Sequence, residues 1–110
     1  MSYPKKGDIY WVALDPTIGS ETNKNRPAMI VSNDVGNSVS SRVIVAPITS
    51  KISKILPFEV AVEVRGRKGK ILLDQIRSID KLRLEGCVIA SAQDLISQID
   101  DALKVVFALK

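Results

Sequence analysis

Residues 42–49 have the sequence Arg-Val-Ile-Val-Ala-Pro-Ile-Thr, a nearly continuous apolar stretch that ends in a threonine. A nearly continuous apolar run rich in β-branched residues is typical of a β-strand inside a sheet. We therefore expect this segment at the centre of a β-sheet. Pro47 cannot donate a hydrogen bond to a neighbouring strand, so a bulge or a sheet edge is predicted near the end of the segment.

Shorter strands are predicted on both sides of this central one. They are Asp8 to Leu14, Ala28 to Ser32, Phe58 to Val64, Lys70 to Gln75 and Leu84 to Ala90. The segment 58–64 places its apolar residues at every second position, as in a strand with one buried face. Between the strands we predict a polar loop over residues 17–25, a turn over residues 33–37 and a basic hairpin loop over residues 65–70.

The C-terminal part of the chain has a different period. Ser91 followed by Asp94 resembles a capping box, which predicts that a helix begins there. Apolar residues then recur at helical spacing, at Leu95, Ile96, Ile99, Leu103, Val106 and Phe107. At least five short strands and one terminal helix predict a single α+β domain over residues 1–110, built on a small, strongly bent, barrel-like sheet.

Composition limits the possible functions. The 110 residues include 16 basic and 12 acidic side chains, for a net charge of +4, which permits a polyanionic partner. One cysteine excludes an internal disulfide, and with no histidine the chain lacks the usual metal ligands. The N-terminus has no apolar signal core, and no apolar run is long enough to span a membrane, so a cytoplasmic location is expected.

Two polar side chains stand at the ends of adjacent predicted strands. Arg26 directly precedes Pro27 and the apolar run 28–31, and Thr49 closes the central strand. Neighbouring strands would bring both side chains to one end of the sheet. A guanidinium matches phosphate oxygens with several N–H donors, and a hydroxyl can position the same group. Because the chain has no histidine, a guanidinium would have to carry the chemistry of RNA cleavage.

Short motifs in a fixed order extend from residue 7 to about residue 86. They are Gly7-Asp-Ile-Tyr-Trp11, Asp15-Pro16, Gly19-Ser-Glu21, Arg26-Pro27, Ser32-Asn-Asp34, Pro47-Ile-Thr-Ser50 and Asp74-Gln-Ile-Arg-Ser-Ile-Asp80. Together they resemble the MazF/PemK toxins of toxin–antitoxin modules. The resemblance implies an SH3-like barrel with a C-terminal helix, present as a homodimer. It also implies an endoribonuclease, without metal or other cofactor, that cuts single-stranded RNA at a short sequence and is neutralised by a cognate antitoxin.

The resemblance also implies roles for two residues, since Arg26 and Thr49 match the catalytic pair. Glu21 is a candidate to orient the arginine. The chain has only five aromatic residues, so RNA contacts are expected mainly from loop polar groups and lysines; the candidates are Ser20, Asn33, Lys51, Lys54, Leu56, Asp74 and Gln75. Backbone affinity is further expected from the cluster Arg65, Arg67, Lys68 and Lys70. Some relatives carry an arginine at the position of Leu72, so a scheme built on that second arginine cannot be transferred to this chain.

Each of these residues also has an ordinary structural interpretation. Arg26 alone would be a surface charge beside a strand, and Thr49 a β-favouring residue with a satisfied hydroxyl. Asp74 and Gln75 fit turn chemistry, and the basic hairpin fits a solvated tip.

Two other functions compete with RNA cleavage. One is a gyrase poison related in fold, but members of that toxin family end in a tail containing Trp, whereas residues 105–110 of this chain are Val-Val-Phe-Ala-Leu-Lys. The other is a barrel that binds RNA without cutting it.

Overall fold

The computed structural model describes residues 3–13 and 25–110, and all of the following elements lie in those ranges. The strands are β1 (Asp8–Val12), β2 (Arg26–Ile30), β3 (Arg42–Thr49), β4 (Glu59–Val64), β5 (Arg67–Leu72), β6 (Arg77–Asp80) and β7 (Leu84–Ser91). The helices are α1 (Asp34–Val39) and α2 (Ile96–Phe107). Short 3-10 turns cover Leu73–Gln75, Lys81–Arg83 and Gln93–Leu95. No helix in the described ranges is long and apolar enough to cross a membrane.

The strands form one curled antiparallel sheet in the order β4-β5-β3-β2-β1-β7, and β6 pairs separately with β3. β3 is therefore the central strand that its apolar sequence predicts, with β2, β5 and β6 as hydrogen-bonded neighbours. The helix α2 packs against β4 and the turn after β5. The predicted α+β architecture, a bent sheet with a C-terminal helix, is confirmed.

Pro47 lies where β3 changes its partner. On one side the residue is paired with Ala28 of β2. On the other side β6 pairs with residues 42–45 and β5 pairs with residues 48 and 49. Pro47 occupies the gap between these two partners, so its missing N–H removes no bond from either ladder. The proline is thus tolerated in β3 because β5 and β6 pair with different parts of that strand, on either side of Pro47.

The core follows the predicted faces of the strands and of α2. In β4 the side chains of Val60, Val62 and Val64 are buried, and the residues between them are exposed. Ile99 is fully buried on α2 and belongs to the same cluster as these valines. Burial of such a side chain stabilises the fold by about 1.5–3 kcal/mol. The helix α2 thus covers one face of the sheet and contributes to the core.

Two elements of the structure differ from the sequence prediction. The predicted turn over residues 33–37 is the helix α1, whose N-cap Asn33 accepts a hydrogen bond from the Gly36 amide at 2.7 Å. Asn37 is fully buried and donates to the Ser32 carbonyl, which ties α1 to the sheet. Residues 77–80 form β6, a strand absent from the prediction because Ile79 is its one apolar residue.

Three predicted boundaries in the second half of the chain are also wrong. The basic loop shrinks to a turn at Arg65 and Gly66, because β5 begins at Arg67 and includes Lys70. The strand predicted to end at Gln75 ends at Leu72, and a 3-10 turn follows it. Ser91 is the last residue of β7, and α2 begins five residues later, after a 3-10 turn. Its N-cap position, Leu95, has no side-chain capping bond, so the capping-box prediction is wrong.

Candidate functional site

The antiparallel pairing of β2 with β3 brings Arg26 and Thr49 to the same end of the sheet. Ala28 faces Pro47, Met29 faces Ala46 and Ile30 faces Val45. The same register, continued by two residues along both strands, places Arg26 across from Thr49. Arg26 is exposed and Thr49 is half-buried. The convergence that the sequence predicts is therefore present in the fold.

Both residues line one open cleft with a volume of about 420 Å³. Its walls come from β1, β2, the end of β3 and the hairpin that joins β4 to β5. The lining residues are Trp11, Arg26, Pro27, Ile48, Thr49, Ser50, Lys51, Val64, Arg65, Arg67, Lys68 and Gly69. Within residues 3–13 and 25–110, this lining includes five cations and no carboxylate. Such a cleft attracts a polyanion along its whole length.

The Thr49 hydroxyl is held by the chain that follows it. Its Oγ1 accepts a hydrogen bond from the Lys51 amide at 3.2 Å. This bond uses an acceptor lone pair and leaves the hydroxyl proton available to a ligand. Lys51 is itself exposed and also lines the cleft. Lys51 and Thr49, which were both predicted as site residues, thus line the same cleft.

A close approach between β5 and β3 occurs at the side of Thr49. Gly69 is buried, and a Cβ atom added there would lie 2.8 Å from the Thr49 carbonyl oxygen and 3.2 Å from Cγ2 of Ile48. A backbone oxygen cannot move out of the way without shifting the strand. The absence of a side chain at Gly69 therefore keeps the backbone of Thr49 in place.

We expect Gly69→Ala to destabilise the protein by about 1–3 kcal/mol, because the added methyl group overpacks the β3–β5 contact. The RNA cleavage that the family resemblance implies should fall more than stability alone explains, since the backbone that carries Thr49 has to move. Urea unfolding and single-turnover cleavage measure the two effects. Gly36→Ala is the matched control, because its Cβ would meet Asn33 atoms no closer than 3.4 Å. Equal effects of both substitutions would contradict the argument.

Lys70 does not line the cleft, although it belongs to the basic cluster. Its Nζ donates to the Glu59 carboxylate at 2.8 Å and to the Lys54 carbonyl at 2.7 Å. The side chains of Lys70 and Glu59 are only 13% and 6% exposed. The same carboxylate accepts from the Leu56 amide at 2.8 Å. This ion pair holds the loop between β3 and β4, so the ammonium of Lys70 is engaged within the fold.

Glu59 is the carboxylate whose surroundings alter its acidity most clearly. Burial alone would raise the pKa of Glu59, but the hydrogen bonds from Leu56 and Lys70 and the Lys70 charge outweigh it. The net effect is a pKa below the ordinary value of 4.5. A carboxyl with a lowered folded pKa stabilises the fold above its unfolded pKa, and this contribution is lost as the pH falls through the folded pKa.

Glu59→Gln should lower the free energy of unfolding at pH 7 by about 3 kcal/mol, because Lys70 is left with its charge and without a counterion. The difference from wild type should shrink as the pH falls below 4.5, where the wild-type carboxyl also becomes protonated. Urea unfolding between pH 7 and about pH 3 measures it. Glu63→Gln, on the exposed side of the same strand, is the control. A difference that is constant over this range would refute the assignment.

Among residues 3–13 and 25–110, the remaining predicted contact residues do not line this cleft. Asn33 uses its side chain to cap α1. The Lys54 carbonyl and the Leu56 amide hold the β3–β4 loop through Lys70 and Glu59. Asp74 and Gln75 are exposed in the 3-10 turn after β5. Ser20 and Glu21 lie outside the described residues.

Trp11 lines the cleft, although a tryptophan on an apolar strand more often belongs to the core. It is 37% exposed, and its partner in the β1–β2 register is Pro27. Burial in β1 does not alternate, because Ile9 is buried whereas Trp11, two residues later, is exposed beyond a register shift between β1 and β7. The sequence pattern therefore carries no signal for the exposure of Trp11. An exposed indole beside a cationic wall can stack on a base.

Comparison with known proteins connects this chain and its fold to characterised relatives. A family model described as PemK-like, MazF-like toxin of type II toxin–antitoxin system matches residues 5–107. Endoribonuclease EndoA of Bacillus subtilis (strain 168) is 39% identical over 110 residues, which cover 96% of this chain and 95% of EndoA.

Solved structures of relatives have the same fold. MazF of Deinococcus radiodurans superposes with a TM-score of 0.78 at 27% identity, over 99% of this chain and 100% of that one. A MazE–MazF structure from the same organism gives a TM-score of 0.78 at 27% identity, over 97% and 98% of the two chains.

Proposed function

The chain belongs to the PemK-like, MazF-like toxins of type II toxin–antitoxin systems, and from this premise we propose that it is a metal-independent endoribonuclease acting on single-stranded messenger RNA. The observation that carries the proposal is the cleft at the end of β2 and β3. There a guanidinium and a hydroxyl from adjacent strands meet in a lining with five cations. This combination suits a phosphodiester better than a neutral or cationic substrate.

The proposed reaction uses a nucleophile that RNA itself provides. The 2′-oxygen next to the scissile phosphate attacks phosphorus, and the bond from phosphorus to the 5′-oxygen breaks. The products carry a 2′,3′-cyclic phosphate and a 5′-hydroxyl. The 2′-hydroxyl proton passes to water, and the leaving 5′-oxygen takes up a proton from water. The protein has to align the two oxygens and stabilise the charge that builds on phosphorus.

Arg26 is assigned to charge stabilisation. Its planar donors match the equatorial oxygens of a pentacoordinate phosphorane, and it bears a full charge at neutral pH. A guanidinium has several N–H donors and no acceptor, so Arg26 is assigned the role of a hydrogen-bond donor. A site without a strong base is expected to turn over slowly.

Thr49 is assigned to positioning. Its hydroxyl can donate to a second oxygen of the same phosphate and fix the rotation of that group. One such donor typically contributes about two to three orders of magnitude to the rate. Glu21 remains the candidate to orient Arg26 from the segment between β1 and β2, and Lys51 is expected to hold the RNA backbone beside Thr49.

The proposed partners follow from the same family. We expect a homodimer, and a cognate antitoxin that covers the cleft and blocks access of RNA. The family description names a toxin–antitoxin system, and the MazF relative from Deinococcus radiodurans has been solved together with MazE. An acidic antitoxin segment would suit the cationic lining of the cleft.

One experiment tests the function. A long single-stranded RNA is incubated with the purified protein in EDTA, and the cut sites and the chemistry of the new ends are mapped. The proposal expects cleavage at one repeated short motif, with 5′-hydroxyl ends. RNA that is retained but stays intact would indicate a binding barrel. In a parallel reaction that contains gyrase and duplex DNA, double-strand breaks would indicate a gyrase poison.

A further inference from the structure

The turn that joins β4 to β5 carries an arginine in an unfavourable conformation. Val64 and Arg67 are paired across a two-residue turn made of Arg65 and Gly66. Both residues have a positive φ, 53° and 79°. Tight hairpins of this kind favour Asn-Gly or Asp-Gly, because a long side chain is strained in the left-handed region. Gly66 suits the turn, whereas Arg65 costs stability.

Strain of this kind suggests that the side chain itself is needed. Arg65, Arg67 and Lys68 all line the cleft that contains Arg26 and Thr49. All three are exposed. None of them forms an ion pair with another residue in the described part of the chain, as Lys6 does with Asp100 and Lys70 with Glu59. Within residues 3–13 and 25–110, three charges without a carboxylate partner therefore lie on one wall of the cleft.

The order of the strands in the sheet determines the position of this hairpin relative to Arg26 and Thr49. β2, β3 and β5 are consecutive neighbours, so Arg26, Thr49 and the hairpin follow one another across the end of the sheet. Thr49 is paired with Lys70, three residues beyond Arg67 on the same strand. A polymer that places one phosphate between Arg26 and Thr49 would continue over the hairpin on the far side of Thr49.

We propose that Arg65, Arg67 and Lys68 form a second phosphate subsite, which binds the RNA backbone next to the scissile phosphate. The inference rests on the proposed function, because it takes RNA as the ligand of the cleft. A guanidinium forks onto two phosphate oxygens, and an ammonium adds a point charge to the next one. The subsite is independent of base identity, so it supplies affinity and direction and leaves sequence selection to other contacts.

Arg65→Asn separates this role from a structural one. Asparagine tolerates the left-handed conformation, so the variant should unfold at the wild-type temperature or above it. Its binding to RNA should nevertheless be about tenfold weaker at low salt. The slope of log K against log salt should fall by about 0.7, the value for one lost contact with single-stranded nucleic acid. A structural role alone would not produce higher stability together with weaker binding.

The probe is a fully 2′-O-methylated single-stranded RNA of mixed sequence, which attack by a 2′-hydroxyl cannot cut. Arg65→Lys should keep most of the salt slope, and Arg67→Gln with Lys68→Gln should lower it further. Lys104→Gln removes one exposed charge from α2, outside the cleft, and should bind like wild type.

Equal affinity and equal salt slope in Arg65→Asn and wild type would overturn the subsite. Absence of any binding by the wild-type protein would overturn it as well. A wild-type protein that binds the probe through Arg65 but leaves unmodified RNA intact would retain the subsite and refute the proposed cleavage. The two proposals therefore fail on different observations.

Discussion

Arg26→Ala is expected to reduce single-turnover cleavage of RNA by at least about 10³-fold, more than any other substitution in this protein. One lost donor in an oxyanion site typically costs about 10²–10³ in rate, and Arg26 supplies at least two donors and a full charge. The substitution removes the group that would balance charge on the phosphorane. Quenched-flow or gel assays at saturating enzyme measure the chemical step without interference from product release.

Two further variants make the test specific. Arg26→Lys keeps the charge but loses the planar fork, so its rate should lie between wild type and alanine. Thr49→Val keeps the shape of the side chain and removes the hydroxyl, and we expect a loss of about 10²-fold. Because Arg26 is exposed, Arg26→Ala should change the free energy of unfolding by less than about 0.5 kcal/mol.

A folded Arg26→Ala protein that cuts at the wild-type rate would eliminate the guanidinium from the mechanism. If the wild-type protein does not cleave RNA and Arg26→Ala only weakens RNA binding, the result would support the non-catalytic barrel. The kinetic comparison thus decides between an enzyme and a binding module that share this fold.

Replacement of one ribose by deoxyribose at the cut position should abolish cleavage of that strand. The change removes the nucleophilic 2′-hydroxyl and leaves the phosphate, the bases and the charges in place. Affinity should remain close to that of the all-RNA strand, because backbone contacts of this type go mainly to phosphate. Binding is measured by fluorescence anisotropy and cleavage on a denaturing gel, both with the wild-type protein.

The same replacement one nucleotide away from the cut position is the control, and that strand should still be cleaved. Cleavage of the strand with deoxyribose at the cut position would mean that water attacks phosphorus directly. The products would then lack a 2′,3′-cyclic phosphate, and the assignment of Arg26 and Thr49 would need a separate base to activate that water.

Much of the fold was predictable because its signals are local. The alternation of Val60, Val62 and Val64 defined the buried face of β4, and the apolar spacing from Leu95 to Phe107 predicted α2. The misses have physical causes as well. Residues 33–37 have turn composition, but Asn33 caps a short helix whose buried Asn37 is satisfied by Ser32. β6 is stabilised by its pairing with β3, with no strong pattern of its own.

The candidate site was only half predictable. Arg26 and Thr49 were identifiable as strand-end residues, and the register of β2 with β3 brings them together. Nothing in the order of residues separates Lys70 from its basic neighbours. In the fold, Lys70 lies on β5 where Glu59 receives its ammonium, whereas Arg65, Arg67 and Lys68 line the cleft.

By itself, the order of residues determined most of the strands, the terminal helix, the faces they bury and the two side chains at adjacent strand ends. These properties depend on spacing along the chain, and so does the family resemblance. Only the tertiary structure decided which cations share a cleft and which is neutralised by a carboxylate. Charges interact through space, and sheet order sets which distant residues become neighbours.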